Sequence, residues 1–420
     1  VTLRRAVRLL LAVLAGLLAA ALLATAVTLH LLAPRPGEWT APLRIGPWHT
    51  HISVPAALRL ATAPPFARWL DGRRLATRGG PVQLQWQAAD RSLHLQCAPC
   101  QLPAPALGSA PMRLQRLQLS VFRDFETVQG QLRADTGTDS GPALRAWFTG
   151  RLQHGGLALH LRLPAAPIAD AYAVLAPQLP ELRQARIQGQ VALRVQLQLP
   201  EGTLRVVPQV EGFSVQGLGT EALAHAASSC GAPSRLRQGD WLARAVLAAE
   251  DQRFFEHPGY DLQELQTALQ RNQAEGTVRR GGSTLGQQLA KRLFTGDERS
   301  ATRKLRELLY AVEMEQTLGK ARILQLYLDN APWGAGLCGA EAAARGYFGR
   351  SARQLEPAQA VWLATMLHKP DAEASAWMRN GGIALKRAEW VAANLRGGTL
   401  QRERRAVRAA LGAMAAPAPQ

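Results

Sequence analysis

Between residues 245 and 310 the chain sets an acidic pair at the end of an apolar run, ahead of a dense run of cations. Glu250 ends an apolar helical run in "AAEDQRFFEHPGYD" (248–261), next to Asp251 and close to Phe254, Phe255 and His257. Apolar surroundings disfavour the charged form of a carboxyl and raise its pKa, which suits general acid or base work near neutrality. The residue also reads as an ordinary helix-end acid paired with Arg244 or Arg253. The stretch "RRGGSTLGQQLAKRLFTGDERSATRKLRE" (279–307) then carries eight cations: Arg279, Arg280, Lys291, Arg292, Arg299, Arg303, Lys304 and Arg306. Only Asp297, Glu298 and Glu307 oppose them. Gly281 and Gly282 turn the chain ahead of Ser283 and Thr284, whose hydroxyls and N–H groups can open a helix. The amides of Gln287 and Gln288 follow. Helix N-termini and clustered Arg or Lys hold phosphate, so the mixture suits an anionic, hydroxyl-rich ligand better than a merely solvated face. Glu307 falls three residues after Lys304 and four after Arg303, beside both on a helix. It reads as a surface ion pair, as a carboxylate orienting phosphate-binding cations, or as a ligand for a divalent metal.

Helices must position these groups, and from Asp240 onward the periodicity is helical. Asp240 can cap a helix reaching Asp251, with Leu242, Val246, Leu247 and Glu250 near one face. Asp261 and Glu264 resemble a capping box. Ser300 starts a helix whose Leu305, Leu308, Leu309 and Val312 form an apolar stripe. Further helices are expected at 320–328, 340–348 and 357–367, the last with Pro357 in its first turn, and a basic helical stretch at 383–412. Upstream the texture differs. "PVQLQWQ", "GLALHLRLP" and "VALRVQLQLPEGTLRVVPQVEGF" alternate apolar and polar residues between turn residues, which predicts half-buried antiparallel strands. This β-rich region, 34–220, holds no constellation of titratable groups and reads as a scaffold or spacer. Its pattern is similar to that of the β-rich modules of AsmA-type envelope proteins. A linker, 221–239, separates the two textures.

The chain has 420 residues and a formal net charge of +18. That balance implies an anionic partner, either nucleic acid or a membrane surface. Arg4, Arg5 and Arg8 precede an uncharged apolar stretch long enough to span a bilayer, Leu9–Leu29. The positive-inside rule keeps those arginines cytoplasmic and places the chain beyond residue 33 outside. A cleaved signal peptide is the alternative, with Ala24-Thr25-Ala26 resembling a cleavage site, but the apolar run exceeds the usual length of a signal core. An extracytoplasmic location argues against nucleic acid. Cys97 and Cys100, a C-x-x-C pair, read as a local disulfide there, since the second pair needed for zinc is missing. Cys230 and Cys338, far apart in sequence, read as free.

"EDQRFFEHPG", "GGSTLGQQLAKRLF", "RKLRE", "KARILQLYLDN" and "GAEAAARGYFGR" together resemble the ordered motifs of the family 51 glycosyltransferases, the peptidoglycan transglycosylases, over roughly residues 232–372. The resemblance implies a mostly α, lysozyme-like domain that polymerises lipid II into a lipid-linked glycan strand at the inner membrane. Undecaprenyl pyrophosphate is the leaving group. By motif, Glu250 would be the general base and Glu307 the second acidic residue, near the pyrophosphate. Ser283, Gln288, Lys291, Arg299, Arg303 and Lys304 align with donor-pocket positions, with Thr284 and Gln287 between them. Asp251, Phe254 and His257 would shape the cleft. A divalent cation, Mg2+ or Mn2+, at the pyrophosphate is the one cofactor considered, with Glu307 its candidate ligand. Gly286 stands where the family commonly has Thr and could loosen the donor pocket. Asp329 replaces a usual Asn. "APWGAGLCGAE" keeps a Trp-Gly pattern of monofunctional members. No S-x-x-K, S-x-N and K-T-G set follows, and too few residues remain for a transpeptidase domain. The expected organisation is therefore an α+β multidomain chain. A cytoplasmic tip (1–8) and a single-pass anchor (9–33) lead to a β-rich periplasmic domain (34–220) that could engage cell-wall synthesis proteins. The linker, a transglycosylase domain (240–395) and a basic tail (396–420) follow. The rival readings are a lysozyme-type lytic hydrolase and a catalytically weak scaffold that binds lipid II.

Overall fold

The computed structural model describes residues 2–45, 48–77, 79–102, 111–153, 155–275, 282–298, 300–380, 384–396 and 401–414. The chain divides into two compact units, one of residues 1–101, 113–166 and 192–209, the other of residues 102–112, 167–191 and 210–420.

In the first unit, α1 (Thr2–Leu32) contains an apolar window, Leu11–Leu32, of 22 residues with mean hydropathy 2.3 and none of it buried. That is long and apolar enough to cross a membrane, as membrane anchors and signal sequences both are. A hairpin of β1 (Thr40–Ile45) and β2 (Trp48–Ser53) follows. Ser53 Oγ then caps α2 (Val54–Ala61) by accepting the Ala56 N–H, and α3 (Pro64–Leu70) comes next. The alternating segments form strands, as their period predicts. In chain order these are β3 (Arg74–Thr77), β4 (Gly80–Gln87), β5 (Ser92–Cys97), β6 (Cys100–Leu102), β7 (Met112–Leu114), β8 (Arg116–Asp124), β9 (Thr127–Asp135), β10 (Ala143–Leu152), β11 (Leu157–Pro167), β12 (Arg186–Leu199) and β13 (Thr203–Gln216), of which residues 186–191 and 210–216 belong to the second unit. Nine of them make one sheet in the order β13-β12-β11-β10-β9-β8-β5-β4-β3, while β6 pairs with β7. On β4, Leu84 is buried while Gln85 and Gln87 are exposed. Leu84 packs with Leu93 of β5 and Leu70 of α3. Cys97 and Cys100 are disulfide-bonded at the β5–β6 corner.

The second unit contains α4 (Ile168–Leu175), 3-10 turns at Pro180–Arg183 and Thr220–Ala224, and the remaining helices. These are α5 (Trp241–Glu250), α6 (Leu262–Glu275), α7 (Leu285–Ala290), α8 (Ala301–Thr317), α9 (Gly319–Asn330), α10 (Ala340–Phe348), α11 (Pro357–Met366), α12 (Pro370–Asn380), α13 (Leu385–Ala393) and α14 (Gln401–Ala413). Their apolar faces meet in a core that includes Leu242, Phe254, Leu289, Met314, Tyr327, Trp333 and Trp362. Ser300 caps α8 by accepting the Arg303 N–H, and Asp261 Oδ1 accepts from Gln263 and Glu264 N–H at the start of α6. Asp240 does precede α5, but its carboxylate accepts from Arg237 N–H in the turn before rather than from the helix.

Residues 223–234 are tied to α9. Arg322 donates to Leu223 and Ala226 carbonyls, and the buried Asp329 accepts from both the N–H and the hydroxyl of Ser234. The carboxylate at 329 therefore serves this anchoring. Cys230 and Cys338, expected as free thiols, are joined instead, with Cα atoms 5.1 Å apart. A pairing across 108 residues leaves no local sequence signal. Closing so long a loop stabilises by roughly 4–5 kcal/mol in the chain-entropy account. Cys338→Ser should lose most of that, read as a lower denaturant midpoint than the oxidised wild type.

Gly286 lies buried in α7, where an added Cβ would meet Ala311 Cβ of α8 at 3.5 Å, an ordinary contact. The missing side chain belongs to the α7–α8 interface rather than to the cleft lining. Gly286→Ala should raise stability by about 0.5–1 kcal/mol through helix propensity, seen as a higher Tm.

Candidate active site in the helical unit

Burial of the last turn of α5 explains the first element of the site. Leu242, Ala245, Val246, Ala248 and Ala249 point into the core, so Glu250 emerges at the helix end with its carboxylate largely shielded. Burial raises its pKa, opposed by the Arg387 guanidinium and by a hydrogen bond from Gln288. Arg387 of α13 donates to Glu250 Oε1 at 2.9 Å, and Gln288 Nε2 of α7 donates to Oε2 at 3.2 Å. The Gln288 carbonyl in turn accepts from the Tyr327 hydroxyl of α9 at 3.0 Å. Three helices thus hold one carboxylate. Neither Arg244 nor Arg253 is its partner: Arg244 donates to the Arg396 carbonyl, and Arg253 pairs with Glu256 and Asp261.

The residues after Glu250 fix the next helix. Gly259 N–H donates to His257 Nδ1, so the ring proton sits on Nε2, which donates to Asp251 at 3.0 Å. Asp251 Oδ2 also accepts the Leu285 N–H at the start of α7, 2.9 Å away. Both His257 nitrogens are occupied, and the Asp251 carboxylate fastens the end of α5 to the N-terminus of α7. Phe254, fully buried, lies edge-on to Phe255 and under the Lys320 ammonium. Thr284 and Gln287 form a capping box, and Thr284 Oγ1 donates to the Gly259 carbonyl. Their polar groups therefore build the α7 terminus.

A cleft of about 1010 Å³ opens above these elements. Glu250, Ser283, Thr284, Gln288, Lys291 and Arg292 line it from α5, α7 and the residues flanking α7, and His368, Lys386, Arg387 and Trp390 from the segments after α11. Lys291 pairs at 2.6 Å with the exposed Asp297, a partner that water also solvates. Glu307 does not line this cleft. It is 2% exposed, and its two oxygens bond Arg303 and Lys304, while Lys304 Nζ also reaches Ser283 Oγ at the cleft edge. Burial, together with Arg303 and Lys291, lowers the Lys304 pKa to about 8. Arg299, Arg279 and Arg280 lie outside the described residues. Among the described residues no three His, Cys, Asp or Glu side chains gather as metal ligands. With cations on both Glu307 oxygens, the donor set does not fit a protein-held divalent ion.

Sequence reasoning does not reach Arg387, Tyr327 or the His368–Trp390 wall. Arg387 stands 137 residues from Glu250, in a stretch whose only sequence signal is basic helicity.

Residues 236–396 match the model of the family described as Transglycosylase. The chain is similar to three proteins named biosynthetic peptidoglycan transglycosylase. It is 46% identical to that of Nitrosomonas eutropha over 129 residues, covering 31% of this chain and 53% of the relative. It is 50% identical to that of Alcanivorax borkumensis over 132 residues (31% and 54%) and 50% identical to that of an Azoarcus species over 129 residues (31% and 56%). The chain spans about half the length of the curated relatives it matches. The matched segment, residues 236–396, is the one whose helices build the cleft.

Proposed function

We propose that this chain is a peptidoglycan glycosyltransferase that polymerises lipid II, with Glu250 as general base. The observation that carries the reading is a shielded carboxylate and a wall of cations on one cleft. The acceptor sugar's 4-hydroxyl gives its proton to Glu250, its oxygen bonds to the donor's anomeric carbon, and the bond to the diphosphate oxygen breaks. Undecaprenyl pyrophosphate leaves with that electron pair. Lys291, Arg292 and Lys304 face the charge that develops on it, where fixed cations help most. A hydrolase also uses two carboxylates but needs no diphosphate pocket, so this cation wall favours transfer over lysis. In this reading α1 anchors the chain in the inner membrane, the cleft faces the periplasm, and no peptide cross-linking accompanies polymerisation. Arg4, Arg5 and Arg8 ahead of the span support that orientation, as do two disulfides beyond it.

The test is polymerisation of labelled lipid II by detergent-solubilised protein, with products resolved by size. Longer glycan supports transfer. Shortening of sacculi without polymer would mean a lytic enzyme, and lipid II binding without either would mean a scaffold. The pH profile of kcat/KM should be bell-shaped. Its acid limb should lie above the ordinary glutamate range, because Glu250 stops accepting protons as pH falls through its raised pKa. Its alkaline limb should lie near 8, because Lys304 loses its charge as pH rises through that value. Lys304→Arg should move the alkaline limb upward.

A further inference from the structure

We infer that residues 167–183 and 210–220, outside the matched family segment, are a positioning wall for α8, with Glu181 and Tyr172 as the residues that set its register. At about 100° per residue, Arg303, Lys304 and Glu307 share one side of α8. Leu305, Leu309, Val312 and Glu313 occupy the opposite side. That opposite side is covered by chain preceding residue 236. Ile168, Tyr172 and Leu179, with Val215 of β13, pack on Leu309 and Val312, and Leu305 and Leu308 join the same cluster.

Apolar contact alone would let a helix slide or rotate; hydrogen bonds fix it. The Tyr172 hydroxyl donates to the Leu305 carbonyl at 3.1 Å, between the residues that carry the cations. Glu181, 3% exposed, accepts from Arg306 Nε at 2.6 Å, and Arg306 directly precedes Glu307. Gln178 donates to the Thr302 hydroxyl in the first turn. Farther along, Glu313 accepts from Leu218 and Thr220 N–H, and the Thr220 and Thr317 hydroxyls bond. The wall therefore touches α8 from its first turn to its last. A shift of one residue in α8 would rotate Lys304 away from Ser283 and the cleft edge. All these segments belong to the same compact unit as α8.

The inference rests on the transferase reading for its kinetic consequence and on structure alone for its mechanical one, and the test separates them. Glu181→Ala and Tyr172→Phe are made in the full chain. Hydrogen exchange of the α8 amides, Tm, and KM and kcat for lipid II are then measured. The expected result is at least tenfold faster exchange in α8, with KM for lipid II raised about five- to tenfold and kcat within threefold. Glu181→Gln, which keeps an acceptor oxygen for Arg306, should recover most of the KM. A lower Tm with unchanged α8 exchange and unchanged KM would mean a merely structural role and overturn the inference, as would no change at all. If the wild type makes no polymer, the transferase reading fails and exchange alone decides. Faster exchange confined to α8 then supports the wall, and unchanged exchange overturns it.

Discussion

Glu250→Gln should leave a folded protein that binds lipid II and makes polymer roughly 10²–10⁴-fold more slowly, the span attributed to a positioned acid or base. Glutamine keeps the shape, and its carbonyl can still accept from Arg387 or Gln288, so geometry is preserved while basicity is lost. The cations proposed to meet the diphosphate stand on the turn after α7 and on α8 and are untouched, so donor binding should change little. Polymer formation within tenfold of wild type would place the base elsewhere on the cleft, whose other lining groups able to accept a proton include His368 and the carboxylates of Asp251, Asp261, Glu264 and Asp297. Loss of lipid II binding in parallel with rate would mean that the carboxylate organises the donor pocket instead.

The second large effect is expected at Glu307. Both its oxygens are engaged by cations in a nearly water-free position. Removing the charge by Glu307→Gln leaves Arg303 and Lys304 repelling each other. Breaking a buried pair in this way costs roughly 3–5 kcal/mol, and the lower end applies because Lys304 keeps a third of its side chain in water. Lys304 should then lose its proton more readily, so the alkaline limb of activity should move below its wild-type position and KM should rise. Thermal unfolding with the pH profile of kcat/KM checks both parts. Should the wild type instead lose activity to chelator and the variant fail to recover it with Mg2+ or Mn2+, Glu307 would be a metal ligand.

How much of the molecule is legible in its sequence depends on the range of the interactions. Helix starts at Asp261, Ser300 and Pro357 are legible because capping is decided within three or four residues. The pairing of Glu307 with Arg303 and Lys304 is legible from helical spacing for the same reason. Strand alternation around Leu84 and Trp86 is equally plain. The partner of Glu250 is not, because Arg387 lies on another helix and nothing local distinguishes it from the basic residues around it. The stripe Leu305, Leu308, Leu309 and Val312 announces a buried face without saying what covers it, and the cover comes from chain that alternation assigns to the β-rich region. Gly286 misleads for a different reason: family comparison marks a missing hydroxyl, while packing shows a helix contact that a small residue suits.

The bond between Cys230 and Cys338 encloses Glu250, Gln288, Lys291, Lys304, Glu307 and Tyr327 in a single covalent ring. A protease that cuts the backbone anywhere in that ring produces two pieces that stay tied. The chain would run as one species on a gel until a thiol is added, and then as two. The cystine is thus a splint: a nicked molecule keeps both banks of its cleft together, and it separates into fragments only where reductant reaches the sulfur.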